Sequence, residues 1–198
     1  MTPEELYKGF SVWRAGIERV DSDSFRDAVE TTAMRIPESD RDKWFGQMIM
    51  RLGHMELASP IEGLFAMWWM VREYERPELR SHLDFVPRLS APLGGSLFRF
   101  DFCVMPHTRD EALAREIIRT GLIVVIELDG HVFHERTKDQ VRARNRKDRA
   151  VQTANFAICH FSGSEVVGDG EACVDAAVEL VESRGLLDYA RRNPGPPR

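Results

Sequence analysis

The stretch LIVVIELD, residues 122–129, most constrains what this chain can fold into. Its first five residues are apolar without interruption, so side chains pointing either way need cover, and the run reads as a central strand buried on both faces. Polar chemistry enters only at its end. Because side chains alternate along a strand, Glu127 and Asp129 project to the same face.

Upstream of that strand the spacing is mostly helical. Leu6, Phe10, Trp13, Ile17 and Val20 recur at steps of three and four, which predicts an amphipathic helix over residues 3–20. A second helix after Ser24 puts Phe25, Val29, Ala33 and Ile36 on one face and stops at Pro37. A third follows Ser39 and buries Trp44, Phe45, Met48, Ile49 and Leu52 before Gly53. At Ser59 the sequence SPIE supplies a capping serine, a proline in the first turn and a glutamate at the third position, ahead of the apolar run GLFAMWWMV. Glu62 thus has an ordinary reading as part of a capping box, Trp68 and Trp69 read as core, and His54 reads as a surface or capping histidine.

Pro77, Pro87, Pro92 and Gly94-Gly95 mark residues 75–96 as loop and turn, with one short strand near Leu83–Val86. LFRFDFCVM then alternates, with Phe98, Phe100, Phe102 and Val104 on one side and Arg99, Asp101 and Cys103 on the other. This predicts one strand with Asp101 at its middle, ended by Pro106. A short exposed helix over residues 108–120, with Ala112, Ile117 and Ile118 as its apolar face, leads into the central strand.

After the central strand a basic helix places Lys138, Arg142, Asn145 and Arg149 along one side. FAICHF is a further strand, SGSEV a turn, and Cys173, Ala177, Leu180 and Val181 form the core stripe of a last helix that stops at Gly185. NPGPPR reads as a disordered tail. The element order predicts an α/β (α+β) fold with helices against a small mixed sheet. Residues 1–57 form a helical N-terminal extension, 58–185 the main domain, and 186–198 the tail.

No apolar run approaches the roughly 20 residues that span a bilayer, so no membrane association is expected. The acidic N-terminus lacks the order of a signal peptide, and the three scattered cysteines, Cys103, Cys159 and Cys173, suit a reduced cytoplasmic protein. A net charge of −5 argues against nucleic acid as a partner. Locally the balance reverses, since residues 134–155 carry seven Lys or Arg against three acids.

Asp101, Glu127 and Asp129 can converge at neighbouring strand ends. Such a cluster is unfavourable without a cation, and hard oxygen ligands select Mg²⁺ or Mn²⁺ over zinc. Each acid also has a bland reading as a strand-end residue, Asp129 most of all because Asp-Gly is a common turn. His131 and His134 follow at a loop-to-helix junction, where a structural role is as good a reading as a chemical one. A zinc site of these two histidines with a cysteine is a third arrangement, although no Cys-x-x-Cys pair supports it.

Taken together, SPIE, FRFDF, VIELDGHVFH and KDRAVQTANFAICHF resemble, in that order, the very-short-patch-repair (Vsr-like) branch of the PD-(D/E)XK nuclease superfamily, over roughly residues 59–175. The resemblance implies a restriction-endonuclease-like core and a Mg²⁺-dependent (or Mn²⁺-dependent) endonuclease acting on DNA, in repair or in restriction and defence. It implies catalytic roles for Glu62, Asp101, Glu127, Asp129, His131 and His134, with metal held by Asp101, Glu127, the Leu128 carbonyl and Glu62. His131 or His134 would shuttle a proton or touch phosphate. Lys138, Arg142, Lys147 and Arg149 would bind nucleic acid. Two positions depart from the pattern. Asp129 stands where the superfamily carries the lysine of E-x-K, so a water-orienting cation must come from elsewhere, with Lys138 and Lys147 as candidates. His160 stands where many relatives carry arginine, and reads as a packed strand residue. The alternative is a catalytically degenerate nucleic-acid-binding or partner-binding module of the same fold. The N-terminal helices would be the surface for a homodimer or a partner protein.

Overall fold

The computed structural model describes residues 22–129 and 137–195. The predicted helix over residues 3–20, His131, His134 and the last three residues lie outside the described residues.

The fold is built around a helix that is apolar on almost every side, α3 (Pro60–Glu75), whose residues Ile61 to Val71 are all buried. A helix of that kind must be covered all round. Two preceding helices, α1 (Ser22–Met34) and α2 (Glu38–His54), cover part of it. Phe25, Val29, Ala33 and Ile36 are fully buried, as their spacing predicts, and Trp44, Phe45, Met48 and Leu52 join them. Ile49 does not: it lies on the outer edge of α2, 38% exposed. Apart from Ile49, these side chains belong to the same core cluster as those of α3.

The stretch 75–96 holds more regular structure than its prolines suggest. It contains α4 (Pro77–His82), β1 (Leu83–Pro87) and β2 (Ser90–Leu93). Pro77 occupies the first turn of α4, where a missing N–H costs nothing, and Pro92 sits in a two-stranded ribbon with no further neighbour. Gly94 and Gly95, both at positive φ, make the turn into β3 (Ser96–Arg99). The predicted single strand through Asp101 is broken there. β3 pairs with β2, whereas β4 (Phe102–Pro106) pairs with β1 in the main sheet, and the chain bends at Phe100-Asp101 between them. Opposite the bend Arg88 adopts φ 52, and its N–H bonds to the Asp101 carbonyl at 2.8 Å. The alternation fails with the bend, because Phe100 shares a core with Cys103 while Phe102 and Val104 face α3.

After α5 (Glu111–Thr120), capped by Asp110, the central strand β5 (Val124–Asp129) pairs antiparallel with β4 and parallel with β6 (Ala157–Ser162). Helix α6 (Lys138–Thr153) makes the parallel crossover. The sheet order is β1-β4-β5-β6, a small mixed sheet flanked by helices. Val124 and Ile126 face α3, Val125 faces the α6 side, and the predicted burial of both faces of β5 is observed. Stacked aromatic rings join sheet to helix, with Phe85 4.7 Å from Trp69 and 4.6 Å from Phe102, and Phe65 5.7 Å from Phe102. Of the predicted apolar face of α5 only Ile117 is buried, and Ile118 is 56% exposed.

SGSEV is not a turn. Ser162 caps α7 (Gly163–Ser183) through a capping box with Glu165, and the helix runs on past one non-helical residue, Asp169. The chain beyond Gly185 also departs from the expected tail: Leu186–Arg192 form α8, with Leu186, Leu187 and Ala190 buried.

Gly121 ends α5 in the left-handed region, and a Cβ there would lie 2.3 Å from the Asn155 carbonyl oxygen. Gly121→Ala is therefore expected to lower stability by about 2 kcal/mol or more, read as a shift in the urea midpoint, since both backbone strain and a backbone clash oppose it.

Candidate metal and phosphate site

Buried Glu62 and half-buried Asp101 and Glu127 lie near one another, where β4, β5 and the start of α3 come together, with Asp101 close enough to influence both others. Glu62 is fixed first by its own helix. Its N–H donates to Ser59 Oγ at 3.2 Å, and its carboxylate accepts from the Ala58 N–H at 2.8 Å and from Ser59 Oγ at 3.3 Å. Ser59 caps the helix as SPIE predicts, but the capping box is not closed, since the Glu62 carboxylate takes the Ala58 N–H rather than that of Ser59; the same side chain lies close enough to Asp101 to feel its charge.

Asp101 owes its place to the bend. With Phe102 opposite Ile126, the antiparallel ladder would continue with Asp101 against Glu127 and Phe100 against Leu128. The chain turns away instead, and Asp101 Oδ2 accepts the Leu128 N–H at 2.8 Å. A strand residue's N–H and C=O point to the same neighbour, so the Leu128 carbonyl leaves β5 on this edge too.

Glu127 lies on the α6 side of β5 and meets Lys147, whose Nζ donates to Glu127 Oε2 at 2.6 Å and to the Arg99 carbonyl at 2.6 Å. The ammonium also sits 4.9 Å from the centre of the Phe100 ring. Among the described residues Glu127 Oε1 is buried without a hydrogen-bond partner.

Burial raises all three acids above their ordinary ranges, Glu127 to about 7. Asp101 adds to the rise in both neighbours by repulsion. The Ala58 N–H, the Leu128 N–H and Lys147 work against it, at Glu62, Asp101 and Glu127 respectively. Carboxylates that raise one another, beside an unsatisfied oxygen and a strand-edge carbonyl, form a donor set that fits a hard divalent cation. As the side chains stand, no three Asp, Glu, His or Cys among the described residues are grouped so as to hold a metal ion.

Asp129 faces a different set of partners. Its Oδ2 lies 3.1 Å from Arg144 Nη1 and 3.7 Å from His160 Nδ1, and His160 Nε2 lies 3.1 Å from Asp148 Oδ1. His160 is thus a half-buried bridge from β6 to α6. No protein-family model matches the chain, nor does any curated protein or solved structure.

The basic helix divides by face. Lys147 points at Glu127, and Arg144 at Asp129. Lys138, Arg142 and Arg149 are exposed and, at 100° per residue, lie on the opposite side of α6 from Lys147. Of the two lysines that could replace the missing E-x-K cation, only Lys147 reaches the carboxylates. Two cations that spacing did not single out also stand at the site: the charge of Arg99 reaches Asp101, and that of Arg88 reaches Glu62. The signal for Arg99 was present, since strand alternation places it on the side of Asp101; Arg88 carried none. The cysteines are free, and burial pushes the thiols up, those of Cys159 and Cys173 to about 12, where a thiolate ligand is disfavoured.

Proposed function

We propose that this protein is a Mg²⁺- or Mn²⁺-dependent DNA endonuclease with a restriction-endonuclease-like core of the Vsr-like kind. The observation that carries the reading is Lys147 Nζ, 2.6 Å from Glu127 Oε2. It supplies, from α6, the cation that Asp129 fails to supply from β5.

In this reading Asp101, Glu127 and the Leu128 carbonyl would hold the ion, with Glu62 as a further ligand. The bound ion supplies positive charge for the scissile phosphate and a water of lowered pKa. Lys147 favours the ionised form of Glu127 against the effect of burial and would orient the attacking water. The Leu128 N–H keeps one Asp101 oxygen in place, which would leave the other oxygen to ligate the ion. The sheet order, with antiparallel β4 and β5 joined to parallel β6 through α6, supports the fold assignment, as does the position of the acids at the C-terminal end of the parallel pair. Among the described residues no helix is long and apolar enough to cross a membrane, and three free cysteines suit a reducing compartment such as the cytoplasm.

One observation favours a second reading, a degenerate DNA-binding or partner-binding module. Asp129, at the position of the family lysine, adds negative charge near Asp101 and is itself engaged by Arg144. Supercoiled-plasmid cleavage separates the two. Wild-type protein is expected to nick or linearise DNA with Mg²⁺ or Mn²⁺ and not with EDTA, and Asp101→Ala and Glu127→Ala to be inactive. Equal cleavage by all three proteins would exclude the endonuclease, and metal-independent DNA binding without cleavage would select the module.

A further inference from the structure

The cations that line the exposed side of α6 cannot serve a phosphate lying at Glu127, because they face the other way. The β2–β3 hairpin adjoins the carboxylates: the Arg99 carbonyl accepts the Lys147 ammonium, and the charge of Arg99 reaches Asp101. Its inner side chains, Ala91, Leu93 and Phe98, pack into the core under α6. Its outer side chains are Ser90, Pro92, Leu97 and Arg99. Leu97 is 74% exposed, more than any other large hydrophobic side chain among the described residues. Arg99 is exposed, and its guanidinium has no ion pair or hydrogen bond among the described residues, although its carbonyl accepts the Lys147 ammonium that binds Glu127.

From Phe85 to Phe98 the chain contains no acid. Arg146 reaches across from α6 to Ser96 and Arg88 sits at the bend, so Arg88, Arg99 and Arg146 flank a hairpin that carries no acid, on a protein of net charge −5. A free guanidinium and an exposed apolar side chain two residues apart on one strand face stand about 7 Å apart. That pairing suits the alternation of anionic phosphate and apolar sugar along a nucleic-acid backbone.

We propose that the outer face of the β2–β3 hairpin is an arm that grips the DNA backbone, with Arg99 taking a phosphate beside the scissile one and Leu97 lying against the adjoining sugar. The substrate class rests on the endonuclease reading. The arm itself makes a separate demand, on affinity rather than turnover.

Binding of a fluorescently labelled DNA duplex in EDTA, followed by anisotropy across a salt series, reads the arm without cleavage. Arg99→Ala is expected to weaken binding about 5- to 10-fold and to reduce the slope of log K against log salt by about 1, because one phosphate contact is lost. Arg99→Lys keeps the slope. Leu97→Ser weakens binding about 3-fold with the slope unchanged, since the contact it removes is uncharged. Arg119→Glu, an exposed change on α5, serves as the control. If Arg99→Ala and Leu97→Ser bind like this control while wild-type protein binds and cleaves DNA, the arm is overturned and the endonuclease stands. If wild-type protein neither binds nor cleaves DNA, both fall together.

Discussion

Lys147→Met is expected to lose plasmid cleavage by roughly 10²–10³-fold, the scale seen when one charge-stabilising donor is removed from an active site. Methionine has a side chain of similar length without the charge, so it removes the ammonium that sits over Phe100 with little change in volume. Glu127 then loses the cation that holds down its pKa, which already stands at about 7 through burial and the nearby Asp101, and it retains its proton further into the neutral range. A protonated carboxyl is a poor ligand and has no attraction for the ion. DNA binding in EDTA is expected to persist, because Lys147 is turned inward to Glu127 and the Arg99 carbonyl. Cleavage kinetics and circular dichroism measured side by side check this. A folded Lys147→Met protein that cleaves at the wild-type rate would remove Lys147 from the mechanism and leave the E-x-K position unfilled.

The second large effect concerns stability against pH. Glu127 has an ordinary value of 4.5 and stands near 7 in the folded chain. Below about pH 4.5 the carboxyl is protonated in both folded and unfolded chains, and its preference for the folded state is fully present. As pH rises from about 4.5 to about 7 the unfolded chain ionises while the folded protein holds its proton, and about 3 kcal/mol of stability is lost by the time the folded carboxyl ionises. Asp101 and Glu62, both raised by burial, act in the same direction. The urea midpoint in EDTA is therefore expected to fall between pH 5.5 and pH 8, and Glu127→Gln to flatten that fall. Mg²⁺ or Mn²⁺ should restore stability chiefly at pH 8, where the ligands are ionised. A midpoint that metal leaves unchanged at pH 8 would count against the ion.

Much of this arrangement follows from local sequence. The cap at Ser59, the buried face of α1 and the two-sided burial of β5 all rest on spacing and on residue types whose preferences are strong. Glu127 and Asp129 were placed on one face because alternation in a continuous strand leaves no choice. The bend at Asp101 was not legible, because it depends on Arg88 across the hairpin, a partner 13 residues earlier in an unremarkable backbone position by sequence. The same holds for Lys147. Helical spacing groups cations along α6, but which of them turns inward depends on how the helix seats on β5 and β6. Pro77 and Pro92 concealed α4 and β2, since a proline's fit depends on which backbone N–H its neighbours would have used.

Burial of α3 on all sides has a consequence for how the molecule opens. Sheet, α1, α2 and α7 all rest on this one helix, so its amides cannot reach solvent unless those layers separate together, and they should be the slowest to exchange hydrogen for deuterium. Glu62 stands at the start of that helix. One wall of the carboxylate cluster is thereby anchored in the unit of the protein that opens last.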